Sequence, residues 1–338
     1  MATRKALLVG AGGMGQAWAK NLLDHRERVT LAGWVDIRDG AAAAAADKHE
    51  TGGIWTGTDL DKALTEVRPD FVVDVTIPEA HHDVTLTALA AGVPVIGEKP
   101  MAHSMDAARA MVAASERSGK LYMVSQSRRY DGRIWTYKRL IEEQAGPLGI
   151  LNADFYIGAH FGGFRDEMDH VLILDMAIHT FDAARFLSGA DPVSVYCEEF
   201  NPPWSWYTGA ASATALFEMT GGLRYTYRGS WCAEGRGTSW ESEWRAVGPQ
   251  GTATWDGHSD LRAERIVGTD GFIRQGDLST AEAQAMAGGI AGSLRDFLHA
   301  LDTGTAPMGE CHDNIKSLAM VFGAIESAQT GQRVAIRI

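Results

Sequence analysis

The first third of the chain alternates short aliphatic runs with amphipathic stretches. Lys5–Val9, Val29–Val35, Phe71–Val75, Val93–Gly97 and Leu121–Ser125 are largely apolar at successive positions, as strands covered on both faces are. Between them, helical spacing predicts helices over Met14–Leu23, His82–Ala91 and Met105–Ser118. Ala41–Ala46 also predicts a helix, because alanine is the strongest helix former and Asp39 stands where it can cap. Strands alternating with helices predict a doubly wound parallel sheet.

The pattern changes after Gln126. A helix over Ile134–Gln144 leads through Gly146-Pro147 into a strand, Ile150–Ile157, and a helix over Val171–Leu187 closes at Ser188-Gly189. Leu223, Tyr225 and Tyr227 alternate with Arg224, Thr226 and Arg228, the period of a strand with one wet face. Thr214–Met219, Trp244–Val247 and Thr252–Trp255 extend this to an antiparallel sheet. Helices over Ile290–Leu301 and His312–Thr330 and a strand over Arg333–Ile338 follow. The expected fold class is α/β: a Rossmann domain over 1–126, then an α+β domain over 127–338 with a large, open, mostly antiparallel sheet.

Composition narrows the function. A chain of 338 residues suits two domains, and 45% hydrophobic with 22% charged residues supplies a large core. A net charge of -12 argues against nucleic acid or an anionic membrane as partner. It leaves a dinucleotide open, since a helix N-terminus holds phosphate locally. Cys197, Cys232 and Cys311 match neither a zinc spacing nor a disulfide framework, which points to a reducing cytoplasm. Met1–Lys5 runs straight into the first strand, which leaves no room for a signal peptide, and no apolar run is long enough to span a bilayer.

Gly10-Ala11-Gly12-Gly13-Met14-Gly15 fits G-x-G-x-x-G between a strand and a helix. The first glycine allows the tight turn, the second lets backbone approach a pyrophosphate, and the third lets helix pack on strand. Asp36 ends the second strand, where a carboxylate accepts from the adenosine ribose hydroxyls and disfavours a 2′-phosphate. The expected cofactor is therefore NAD. Arg38 keeps NADP possible, because an arginine there can pair with that phosphate. Asp175 and His179 are four residues apart on one predicted helix face, with Asp182 beyond them. A histidine so placed can accept a hydroxyl proton, and Asp175 can orient substrate or support the charged ring. Zinc held by Asp175, His179 and His170 is the rival reading; no metal is expected, since hydride transfer from an alcohol needs none.

These motifs resemble the Gfo/Idh/MocA oxidoreductases, named for glucose–fructose oxidoreductase, inositol dehydrogenase and a rhizopine catabolism protein. The glycine fingerprint, Thr76-Ile77-Pro78-Glu79-Ala80-His81-His82, Glu98-Lys99-Pro100 and Asp175-Met176-Ala177-Ile178-His179 carry the resemblance, which covers most of the chain. Arg128-Arg129-Tyr130-Asp131 looks like the bacterial inositol 2-dehydrogenase version. The family's Thr-Pro-Asn is broken here by Ile77, and Glu79 replaces the usual polar neighbour. The resemblance implies that Thr76, Ile77 and Pro78 line the cofactor, that Glu98 reaches the nicotinamide ribose, and that a cis Lys99–Pro100 bond aims Lys99 at the reacting hydroxyl. It adds His82 to the cofactor set, with capping or packing as the alternative. It sets His160 and Arg128 beside the substrate, with structural roles as the alternative.

Lys99, His179 and Asp175 are thus the expected catalytic residues, with a hydroxyl held by Lys99 and His179. The expected substrate is a sugar, a sugar derivative or an inositol-like cyclitol. Keto-sugar reduction, redox cycling on tightly held NADP, and a non-enzymatic dinucleotide sensor are the alternatives. Most of Trp204, Trp206, Trp231, Trp240, Trp244 and Trp255 read as sheet core or interface, and Trp204-Ser205-Trp206-Tyr207 as a substrate lid. An open sheet face that needs cover predicts a homodimer or homotetramer.

Overall fold

The computed structural model describes residues 3–338. The chain begins with β1 (Arg4–Val9), α1 (Gly13–Asp24), β2 (Val29–Val35), α2 (Ala41–Lys48), β3 (Trp55–Gly57) and α3 (Leu60–Val67). It continues with β4 (Phe71–Asp74), α4 (Pro78–Ala90), β5 (Val95–Gly97), α5 (Met105–Ser118) and β6 (Tyr122–Val124). Then come α6 (Gly132–Leu140), β7 (Ile150–Tyr156), α7 (Ile178–Ser188), β8 (Pro192–Phe200), β9 (Ser212–Met219), β10 (Arg224–Ser230), β11 (Glu243–Gly248), β12 (Gly251–Trp255), β13 (Leu261–Ile266) and β14 (Gly276–Ala281). Helices α8 (Gly289–Thr303) and α9 (Cys311–Thr330) and a short β15 (Val334–Ala335) end it.

These elements form two units. The first runs to Ser127 and takes back Ile290–Ile315; the second is Arg128–Gly289 with Lys316–Ile338. A single domain over 127–338 was the expectation, and α8 departs from it. Phe297 of α8 packs edge-on against Phe71 of β4 at 5.4 Å between ring centroids. Arg4 and Arg28 both pair with Asp302, at 2.8 and 2.6 Å. The apolar stripe of α8 thus covers the parallel sheet of the first unit, a destination that helical periodicity alone does not specify.

In the first unit the six strands pair in the order β3-β2-β1-β4-β5-β6, every pair parallel. Strands β1 and β4 are neighbours, yet the chain leaves them in opposite directions. Their carboxyl ends flank the switch point, the crevice where such sheets bind ligands. β3 and α3 had no counterpart in the sequence expectation. α2 runs two residues beyond the alanines, and its N-cap is Gly40 in the left-handed region, not Asp39. α4 begins at Pro78, four residues before the expected start, because proline's fixed φ and missing N–H suit the first helical position.

In the second unit nine strands pair in the order β14-β13-β12-β11-β7-β10-β9-β8-β15. All contacts are antiparallel except β7 with β10. One face carries the core, where Phe181 of α7 meets Phe217, Tyr225 and Tyr227 edge-on. The other face is more polar than expected. Arg228 forks onto Asp154 at 2.8 and 2.6 Å, and Arg224 pairs with Glu218. The helix expected over Val171–Leu187 is wide-turned (π) over Leu172–Ala177 before α7 starts. Among the described residues no helix is long and apolar enough to cross a membrane.

Candidate active site

The glycine turn follows β1 at the switch point. Gly10 takes φ +106°, and a Cβ there would meet the Val75 carbonyl oxygen at 2.8 Å. A Cβ on Gly15 would lie 2.1 Å from the Gly10 carbonyl oxygen, so only glycine lets α1 sit this close to the turn. Side chains on Gly12 or Gly13 would meet open space. No side chain caps Gly12, and the first turn of α1 carries no acidic residue. The helix therefore turns its N-terminal N–H groups toward an open crevice, beside the half-exposed Met14. That arrangement fits a pyrophosphate.

Asp36 lies just past β2 and is buried. Its Oδ2 accepts from the Ala11 N–H at 2.7 Å, tying the carboxylate to the glycine turn. Its Oδ1 accepts from the Arg38 backbone N–H at 2.9 Å, and the Arg38 guanidinium forks onto both oxygens at 2.9 and 3.0 Å. Arg38 holds the carboxyl down to about 2, so Asp36 is anionic across the physiological range.

Thr76, Ile77 and Pro78 connect β4 to α4 on the other side of the switch point. The Asp74 Oδ1 accepts from the Thr76 hydroxyl at 2.6 Å and from its N–H at 3.1 Å. Ile77 is 64% exposed, so a large apolar side chain stands beside the crevice. His82 points outward and pairs with Asp83 at 2.8 Å. The histidine turned into the fold is its neighbour His81, which pairs with Asp74 at 2.9 Å. The sequence carried a signal for this. His81, Thr85, Ala88 and Leu89 are the buried positions of α4, at helical spacing once Pro78 is taken as its start.

Glu98 and Lys99 leave the end of β5. Glu98 is buried and accepts from the Trp18 indole N–H of α1 at 2.7 Å, which joins the β5 end to the fingerprint helix. Burial raises the Glu98 carboxyl, while Trp18, Lys99 and His81 pull it back. Lys99 is half-buried, and the Lys99–Pro100 bond is cis.

The second unit holds the other candidates. Asp175 lies in the π segment and accepts from Arg165 Nε at 2.6 Å. Arg165 is ten residues away across a loop, a separation that leaves no periodic signal in the sequence. Arg128 and His179 line one small closed cleft with Asp131, Glu241, Trp244 and Trp255. Arg128 donates to the Trp240 carbonyl and to Met176 Sδ, and faces Glu241 at 3.5 Å. Burial lowers its guanidinium pKa, and Glu241 opposes that. Asp182 does not share the site of Asp175 and His179. Arg129 forks onto it with two bonds of 2.7 Å, and Ser317 adds a third, so it is a buried structural partner. His170 turns instead to Glu199 at 2.5 Å and to Gln329.

His160 follows β7 and stacks on Trp206 at 3.8 Å between ring centroids, with its Nε2 on Glu234 at 2.9 Å. Beside Glu234 lies an open cavity of about 440 Å³, whose lining includes Gly158, Thr238, Trp240 and His258. The Trp204–Tyr207 segment is anchored and does not hang free as a lid. Trp204 donates to the Cys232 carbonyl, and the buried Tyr207 hydroxyl donates to the Ala159 carbonyl.

Comparison with known proteins decides the family. The NAD-binding Rossmann model of the GFO/IDH/MocA oxidoreductases matches residues 4–126, and the model of the family's C-terminal domain matches 105–254. The chain belongs to the GFO/IDH/MocA family. Uncharacterized protein y4oX of Sinorhizobium fredii is 30% identical across 99% of this chain and 96% of its own length. Inositol 2-dehydrogenase of an Arthrobacter species is 32% identical, with the match spanning 57% of this chain and 56% of that one, a little over half of each. Among solved folds, an oxidoreductase from Agrobacterium radiobacter, crystallised with NAD+, L-tartaric acid and magnesium, superposes with a TM-score of 0.86 at 23% identity, covering 99% of both chains. This GFO/IDH/MocA protein is an NAD-binding oxidoreductase. Its first unit supplies the parts such a cofactor needs: an open helix N-terminus, a fixed carboxylate at the end of β2, and a buried glutamate and a lysine at the end of β5.

Proposed function

We propose that this protein oxidises a secondary hydroxyl of a cyclitol or sugar, using NAD as hydride acceptor. The observation that carries the reading is the end of β5. There Glu98 is fastened to the fingerprint helix through Trp18, and Lys99 follows it directly after β5. The inositol 2-dehydrogenase relative supports a polyhydroxylated ring as substrate.

Bound NAD supplies the nicotinamide ring that takes hydride from the carbon bearing the hydroxyl. The remaining work falls to side chains of this chain. Asp36 accepts from the adenosine ribose, and Arg38 either yields to it or meets a 2′-phosphate. Gly12, Gly13 and Met14 present backbone to the pyrophosphate. Thr76, Ile77 and Pro78 line the cofactor, and Glu98 accepts from the nicotinamide ribose. Lys99 donates to the substrate oxygen, His179 accepts its proton, and Asp175, steadied by Arg165, orients the ring. Arg128 and His160 read further hydroxyls. The assembly proposed is a homodimer or homotetramer, tested by sedimentation equilibrium.

The direct test is nicotinamide absorbance with NAD, and separately with NADP, across inositols, aldoses, deoxy sugars and sugar acids. Turnover of a cyclitol or pyranose with NAD is the expected result. Silence across the panel, with NAD binding demonstrated, overturns the substrate class.

A further inference from the structure

The segment that carries Asp175 opens on a strained residue. His170 takes φ +51°, in the left-handed region that few residues other than glycine adopt. Its carbonyl accepts from the Leu174 N–H at 2.9 Å, one residue before Asp175. Leu172–Ala177 then wind as the π segment. Left-handed non-glycine backbone persists only where its surroundings hold it, and both such strain and π turns gather at functional sites.

Here the surroundings grip the ring at both nitrogens. Nδ1 lies 2.5 Å from Glu199 Oε2 of β8, and Nε2 lies 3.2 Å from the Gln329 amide nitrogen of α9. The Glu199 side chain is 5% exposed, and its other oxygen has no partner among the described residues. A buried carboxylate without a partner is costly, so the imidazole is bound to Glu199 as firmly as Glu199 is bound to it. β8 and α9 are joined to each other nearby, where the Cys197 N–H donates to Ser327 Oγ at 2.9 Å. Two residues beyond Glu199, Asn201 donates to the Tyr207 and Gly209 carbonyls at 3.0 and 2.8 Å. Between those two, the Thr208 N–H donates to the Asp166 carbonyl at 2.8 Å. The end of β8 therefore moors the stretch from Arg165 to Asp175 twice, near its start and at His170. The Arg165–Asp175 pair at 2.6 Å closes that stretch into a loop.

We propose that His170 is a positioning residue: clamped between Glu199 and Gln329, it fixes the left-handed start of the π segment and so the place of Asp175 in the reaction. This rests on the reading that Asp175 takes part in that reaction. The clamp does not depend on one charge state, because Nδ1–H can donate to Glu199 from a neutral ring or a charged one.

The test joins amide hydrogen exchange to a mutant cycle on the full chain with NAD bound, using His170→Asn, Gln329→Met, Asp175→Ala and the H170N/D175A pair. Asparagine tolerates the left-handed backbone but is too short to reach both partners. Gln329 is exposed, so Q329M cuts one tether without touching the core. Exchange at residues 171–177 should quicken in H170N, and less so in Q329M, while the strands of the second unit keep their protection. Wild-type exchange at 171–177 in H170N overturns the proposal; should H170N not fold, the same comparison is made in Q329M. With myo-inositol as probe, H170N should lower kcat by about 10- to 100-fold, the effect of a misplacement of about 1 Å, and leave the Kd of NAD unchanged. In the D175A background the same substitution should cost no more than about twofold, since His170 acts through Asp175. A full, independent loss in that background makes His170 merely structural and overturns the proposal. A D175A protein with wild-type turnover overturns the reading of Asp175 itself, and the role of His170 with it.

Discussion

Asp36 already accepts four hydrogen bonds, one from Ala11 and three from Arg38, which uses the full acceptor capacity of a carboxylate. Ribose hydroxyls can bind it only by displacing the guanidinium, which is 65% exposed and free to swing. Asp36→Ala is therefore expected to weaken NAD by about 10- to 100-fold, the worth of hydrogen bonds to a charged group, and to weaken NADP less. Arg38→Ala is expected to spare NAD and weaken NADP. Titration of both cofactors checks both variants, and an unchanged NAD/NADP ratio in Asp36→Ala counts against the ribose assignment. Lys99→Ala is expected to lower kcat by about 10²–10⁴ while leaving the Kd of NAD nearly unchanged, as for removal of a proton-handling group; equal loss of both makes Lys99 structural. At this scale the sequence was most readable where a residue acts through its own backbone turn, as Gly10, Gly15 and Asp36 do. It was least readable where the partner is remote, as with Trp18 on Glu98 or Arg165 on Asp175.

Helices and strands were legible in kind more than in extent. The parallel sheet follows from runs that are apolar at every position, and the buried patterns of β1 and β4 agree. The start of α4 is set by proline chemistry, and that shift of register separates His81 from His82. The π segment before α7 is invisible to periodicity, because its extra residue per turn leaves no mark in composition. At this scale two substitutions are informative. Gly15→Ala places a methyl 2.1 Å from the Gly10 carbonyl oxygen. It is expected to cost about 1–3 kcal/mol or more and to abolish NAD binding, as read from denaturant midpoint and cofactor titration. Arg129→Met strands Asp182 in the second unit without its cation, and is expected to destabilise by about 3–5 kcal/mol. A midpoint within error of the wild type would mean that water or Ser317 supports Asp182 alone.

For the whole molecule, the shifted groups give a pH dependence with a definite sign. His81, His170 and His312 are all raised, each with carboxylates as partners. Their stabilisation is complete below about 6.5, the unfolded value, and fades as pH rises through the raised values. Asp36, Asp191 and Asp302 are lowered, so their contribution is complete above about 4 and fades as pH falls. The melting temperature is therefore expected to peak between about pH 4 and 6.5, and a maximum on the alkaline side would contradict these assignments.

The return of α8 to the first unit also sets a schedule on the ribosome. Phe71 and the strands around it emerge early, but Phe297, which covers them, is encoded near the far end of the message. At about 5–20 residues per second, the stretch from Ser127 to Ile315 takes on the order of ten to forty seconds to translate. For that interval the apolar patch around Phe71 lacks its cover from α8, a landing place for a chaperone. A gene fragment stopped at Ser127 keeps that patch bare permanently and is expected to precipitate, while co-expression of 290–315 restores it to the soluble fraction.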